Sequence, residues 1–111
     1  MDRPALDVEQ GVAACAGSPE LLREVASMLD SSLDGRIGEV RAALAAGNLT
    51  EAGRLSHRHK GACLTCGALA LAATFAAVDH AARAGDQAGS TAAAEGLPAA
   101  AAAFRAARTA L

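Results

Sequence analysis

Two histidines stand two positions apart in Ser56-His57-Arg58-His59-Lys60-Gly61, and they are the side chains of this chain best suited to chemistry. The stretch around them predicts a helix from about Thr50 to Thr65. At helical pitch, Gly53, Gly61, Leu64 and, if the helix continues, Ala68 fall within about 40° of His57. Arg54, Arg58 and Lys60 surround that face. Leu55, His59, Cys63 and Cys66 lie opposite, on the side expected to enter the core. Glycine in a helix interior costs about 1 kcal/mol relative to alanine. Gly53 and Gly61, a turn either side of His57, are therefore expected to clear its surroundings for a group brought by another protein. Such access suits a nucleophile towards a phosphoryl group. Neutral imidazole is available near pH 7 and can attack phosphorus in line, and nearby cations stabilise the equatorial oxygens. Exposed cations act through water, so each supplies about 1 kcal/mol or less. The sequence has no glycine loop to cradle a nucleotide and no acidic metal cluster, so the metal and most of the machinery would come from the partner.

Cys63-x-x-Cys66, with His59 on the same side, defines the alternative: a small metal-binding or redox-sensing helical protein. A structural zinc site wants a fourth ligand, and His57 points away. Thioredoxin-like chemistry wants a strand-to-helix context that this chain lacks. Two small core thiols, with His59 partly buried and hydrogen-bonded, are the simpler account. Cys15 reads as a packed thiol, and His80 as a solvent-facing side chain.

The elements that must position these residues are helical. Hydrophobic residues make up 52 % of the 111 positions, but 32 positions are alanine and only Phe75 and Phe104 are aromatic. That composition argues against a sandwich or barrel, which needs β-branched and aromatic residues. A net charge of −2 argues against disorder. It also gives no field for nucleic acid, and no aromatic platform exists for single strands. One all-α domain over residues 1–111 with a thin, closely packed core is expected. Gly61 to Val78 is free of charge, but its alanine, threonine and glycine content fits burial in a bundle better than a membrane span. The segment Met1-Asp2-Arg3-Pro4 lacks the layout of a signal peptide. With three cysteines, the expectation is reduced thiols in a cytoplasmic protein.

Along the chain, Leu6 to Ala16 predicts a short first helix ending before Gly17. Ser18-Pro19-Glu20 is a strong start signal: a capping hydroxyl, a proline in the first turn and an acid at the positive dipole end. An apolar stripe of Leu22, Val25, Leu29, Leu33, Ile37, Val40 and Leu44 then predicts one long helix to about Ala46, bent near Gly35 and Gly38. Gly47 closes it, and Asn48 or Thr50 caps the histidine helix. A third substantial helix is expected over about Ala68 to Ala84 and a fourth from Asp86 to the C-terminus, kinked or split at Pro98. Short connections then give an antiparallel four-helix bundle with a short extra N-terminal helix.

These motifs resemble the histidine-containing phosphotransfer (HPt) domains of bacterial two-component phosphorelays. Their signature is roughly Ala-His-x-Leu-Lys-Gly followed by Gly-Ala; here it reads Ser56-His57-Arg58-His59-Lys60-Gly61 and Gly67-Ala68. Gly17-Ser18-Pro19-Glu20-Leu21-Leu22, Leu44-Ala45-Ala46-Gly47-Asn48 and Ala81-Ala82-Arg83-Ala84-Gly85-Asp86 match the family's flanking helix entries and turns. The resemblance implies that His57 is the phosphoacceptor, Lys60 the supporting cation and Gly61 the clearance residue. It implies a monomeric carrier without autokinase activity that serves a sensor or hybrid histidine kinase. The carrier would dock response-regulator receiver domains through Gly53, Arg54, Arg58, Gly61, Leu64 and Ala68. No cofactor of its own is implied, because the receiver supplies both the aspartate and Mg²⁺. The chain departs from the pattern at His59 (usually leucine), at Cys63 and Cys66, at Val78-Asp79 (commonly Leu-Glu) and at Pro98.

Overall fold

The computed structural model describes residues 3–111. Met1 and Asp2, part of the segment read for a signal peptide, lie outside the described residues. Among the described residues six helices follow one another: α1 (Val8–Ala14), α2 (Pro19–Ala45), α3 (Leu49–Leu64), α4 (Leu69–Arg83), α5 (Gln87–Ala94) and α6 (Leu97–Arg108). Among the described residues there is no strand, and no helix is long and apolar enough to cross a membrane. The charge-free stretch from Gly61 to Val78 is broken by the turn between α3 and α4.

The helix starts follow local chemistry. Ser18 caps α2 by accepting from the Leu21 amide at 3.1 Å, with Pro19 in the first turn. Asn48, rather than Thr50, caps α3 by accepting from the Glu51 amide at 3.1 Å. Asp7 and Asp86 do the same for α1 and α5. α4 has no side-chain cap. Its early Ala70 amide instead donates to the Pro4 carbonyl at 2.9 Å, and the Asp7 amide donates to the Gly67 carbonyl at 2.8 Å. Residues 3–7 thus form a strap across the α3–α4 connection, satisfying an amide that a helix start leaves without a partner. Gly67 permits this: its φ is 74°, and a Cβ there would lie 2.3 Å from the Asp7 carbonyl oxygen.

α2 is a single helix through Gly35 and Gly38; the predicted stripe is buried apart from the half-buried Val25, and Ala26 and Ala43 are buried beside it. α4 is the central element, packed on α3, α5 and α6, while α2 covers α3 and the last two helices. Phe75 and Phe104 are both fully buried, with Leu22, Leu33, Leu71 and Leu97 around them. The expected fourth helix is two helices. The chain breaks at Glu95 and Gly96, and Pro98 sits in the first turn of α6, where its missing N–H removes no helical bond. The C-terminal helix is fastened to α2 through Asp30, which accepts from Arg105 at 2.8 Å and also pairs with Arg108. Those guanidiniums hold its carboxyl below the ordinary range.

Candidate functional site

His57 projects from the middle of α3 with 61 % of its side chain exposed. Its Nδ1 lies 3.3 Å from Oδ2 of Asp79, a carboxylate that α4 brings alongside and that is itself nearly buried. The other Asp79 oxygen accepts from Arg83 Nε at 2.8 Å, one turn further along α4. The two groups stand at ion-pair distance without the alignment of a hydrogen bond, and the carboxylate's charge favours the tautomer with the proton on Nδ1 and the lone pair on Nε2.

The glycines around His57 do different work. A Cβ on Gly61 would meet nothing within 4 Å, so that position leaves open space. Gly53 is buried, and a Cβ there would come within 3.3 Å of Asp79 Oδ1 and 3.5 Å of the Ala82 Cβ. The expected clearance at Gly53 is therefore clearance for α4 and its carboxylate, so that α3 and α4 can approach. Two hollows lie along α3 and α4, and His57 lines one of them. One of about 410 Å³ lies between α3 and α4 and is lined by Gly53, Arg54, His57 and Arg83. The other, about 540 Å³, contains Lys60 and Leu64.

The remaining predicted residues divide. Leu64 is exposed, and Lys60 is half-buried without an ion-pair partner among the described residues. Arg54 is exposed but bound to Glu51 of its own helix. Arg58 turns towards α2, where it pairs with Glu39 at 3.5 Å, on the flank away from α4. Ala68 is fully buried at the start of α4 and offers a partner no surface, a correction to its expected place on the docking face. The helix ends before Ala68, so the wheel that placed it beside His57 does not extend that far.

His59 enters the core as expected, but completely, with 1 % exposure. Its Nδ1 is 2.8 Å from Arg36 Nη1 of α2, and its ring tilts against Phe75 with centroids 5.5 Å apart. Arginine only donates, so Nδ1 accepts and the proton sits on Nε2, which has no hydrogen-bond partner and lies 4.0 Å from Glu39. Burial, with the Arg36 charge second, lowers its pKa to about 4. Cys15, Cys63 and Cys66 are buried free thiols. Burial pushes Cys63 up to about 12 and Cys66 up to about 11, which leaves them little thiolate character. Among the described residues no three His, Cys, Asp or Glu side chains converge as a metal site, and the metal or redox alternative finds no support.

Sequence reasoning missed Asp79 as a functional residue. The available signal was its place in the Val78-Asp79 pair, one turn before Arg83 on a helix expected to pack against α3.

No curated protein and no solved structure matches the chain. The family model for the Hpt domain matches residues 24–107, a span that contains His57, Lys60 and Asp79 and covers more than half of the sequence. With a solvent-facing, carboxylate-oriented histidine inside that span, the chain belongs to the Hpt domain family, whose work is phosphotransfer in two-component signalling.

Proposed function

We propose that this protein is a phosphorelay intermediate in which His57 accepts a phosphoryl group from a receiver-domain aspartate and passes it to another response-regulator receiver. The observation that carries the reading is the exposed His57 ring with Asp79 3.3 Å from its Nδ1, a neighbour that favours a free lone pair on Nε2. In the first transfer, Nε2 forms the N–P bond as the P–O bond to the partner's aspartate breaks. The carboxylate leaves with the bonding pair. No proton has to move, because Nδ1 already holds it, and Asp79 balances the imidazolium that results. Lys60, on the same face, supports the equatorial oxygens. Transfer onward is the reverse step on a second receiver. The receiver brings the Mg²⁺, and the chain acts as carrier rather than kinase.

The same reading takes residues 1–111 as one domain: an antiparallel bundle of α2, α3, α4 and the interrupted α5–α6 arm, with α1 as the extra helix. It is a monomer of the cytoplasm whose partners are a sensor or hybrid histidine kinase and receiver domains, docked over Gly61, Leu64 and the neighbouring Arg54, with Arg58 and Gly53 at the margin. The test is phosphotransfer profiling: phosphorylated receivers are mixed with the protein and the label on it is followed. The expected label is acid-labile and base-stable. No transfer from any receiver, or an acid-stable label, would overturn the reading.

A further inference from the structure

Four glycines lie inside α2 and α3: Gly35 and Gly38 in the first, Gly53 and Gly61 in the second. Each weakens its helix, because glycine gains backbone freedom on unfolding that alanine does not. A Cβ at Gly35, Gly38 or Gly61 would meet nothing within 4 Å. At Gly53 alone the space is taken: the added carbon would lie 3.3 Å from Asp79 Oδ1 and 3.5 Å from the Ala82 Cβ. Asp79 is the carboxylate 3.3 Å from His57 Nδ1, and its side chain is only 12 % exposed. The two groups are not aligned as a hydrogen bond, so their contact does not itself hold the acid in place. Arg83 Nε donates to Oδ1 at 2.8 Å from one turn along α4. The side chain that Gly53 lacks leaves the seat in which that same oxygen lies.

A carboxylate shielded from water acts on a neighbouring ring through a field that depends on distance and direction. A displacement of a few tenths of an ångström changes the tautomer it favours and the balance it offers an imidazolium. We propose that Gly53 is a positioning residue: by lacking a side chain it sets how the Asp79 carboxylate stands against His57, and α3 keeps a helix-weakening residue for that reason. Gly53 acts on His57 through Asp79. Its effect on transfer rests on the phosphocarrier reading; its placement of the carboxylate does not.

Gly53→Ala tests this in the full chain, with Gly38→Ala, at an exposed position of α2, as the control for helix propensity. Both should have urea midpoints at or above the native one, since alanine is the better helix former. In nitrogen NMR spectra of the unphosphorylated protein, the two ring signals of His57 should move in Gly53→Ala towards their positions in Asp79→Asn, and stay in place in Gly38→Ala. Phosphoramidate then supplies a phosphoryl group without a docking protein: its P–N bond breaks, ammonia leaves, and the N–P bond forms at His57 Nε2. Gly53→Ala should slow that step about fivefold. In an Asp79→Asn background it should add nothing further. Identical His57 signals in the native and Gly53→Ala proteins overturn the proposal, as does the same slowing with or without the Asp79 carboxylate. A urea midpoint that falls together with the rate overturns it too, because Gly53 then serves packing alone. Signals that move while the native protein forms no phosphohistidine leave the placement of Asp79 standing and overturn the carrier reading instead.

Discussion

His57 and His59 are the same residue type on the same helix, and they meet opposite fates. His57 faces out with its Nδ1 on a carboxylate, while His59 faces in with its Nδ1 on a guanidinium. A carboxylate at ion-pair distance favours a proton on Nδ1 and a free lone pair on Nε2. A guanidinium demands a lone pair on Nδ1 and forces the proton onto Nε2, where burial then isolates it. The helix that carries both histidines therefore sets only their direction. The tautomer, and with it the reactivity, comes from the neighbours: Asp79 on α4 for one, Arg36 on α2 for the other.

Substitutions can break that contrast at either end. The largest effect belongs to His57→Gln, which should abolish phosphoryl label while leaving the helical circular dichroism unchanged; label that survives would mean another acceptor. Asp79→Asn should come next. It removes the charge that favours the Nδ1 proton and balances the imidazolium, and transfer should be about 10-fold slower, roughly 1.4 kcal/mol, with the fold retained. An unchanged single-turnover rate would reduce Asp79 to a packing role. Lys60→Ala should slow transfer only about fivefold, the scale of one half-buried but solvent-accessible cation, with a smaller difference in high salt. His59→Leu should leave transfer untouched and raise stability by about 1 kcal/mol, because an unpaired buried N–H disappears.

That last variant also has a pH signature. The folded-state pKa of His59 is about 4 against an ordinary 6.5, so between those values the unfolded chain binds more protons than the folded one. Stability from keeping His59 neutral is complete above about pH 6.5 and is lost as pH falls towards 4. Urea titrations across that window should show a declining midpoint for the native protein and a flatter one for His59→Leu. Parallel curves would show that His59 is not the group responsible.

The opposed faces of α3 were legible in the sequence because helical periodicity alone separates His57 and Gly61 from Leu55, His59 and Cys63. Helix ends were legible where a single local signal decides them, as at Ser18-Pro19-Glu20. What was not legible arises between helices. Asp79 reaches His57 only through the register of α4 against α3, and no spacing within either helix encodes it. The same register turns Gly53 from an opening for a partner into a seat for α4. Ala68 failed for a local reason, since the wheel was extended past the turn at Gly67. Pro98 was read correctly as a disruption, but kink and split differ by how many residues leave the helix, and here two do.

The bond from the Ala70 amide to the Pro4 carbonyl makes one amide hydrogen a clock. It is shielded while the strap lies down and exchanges with deuterium whenever the strap lifts, whether or not the bundle opens. Amides deep in α4, such as that of Phe75, exchange only with the bundle's own opening. The ratio of the two exchange rates would therefore report how often the strap lies across the α3–α4 connection, read from one backbone amide.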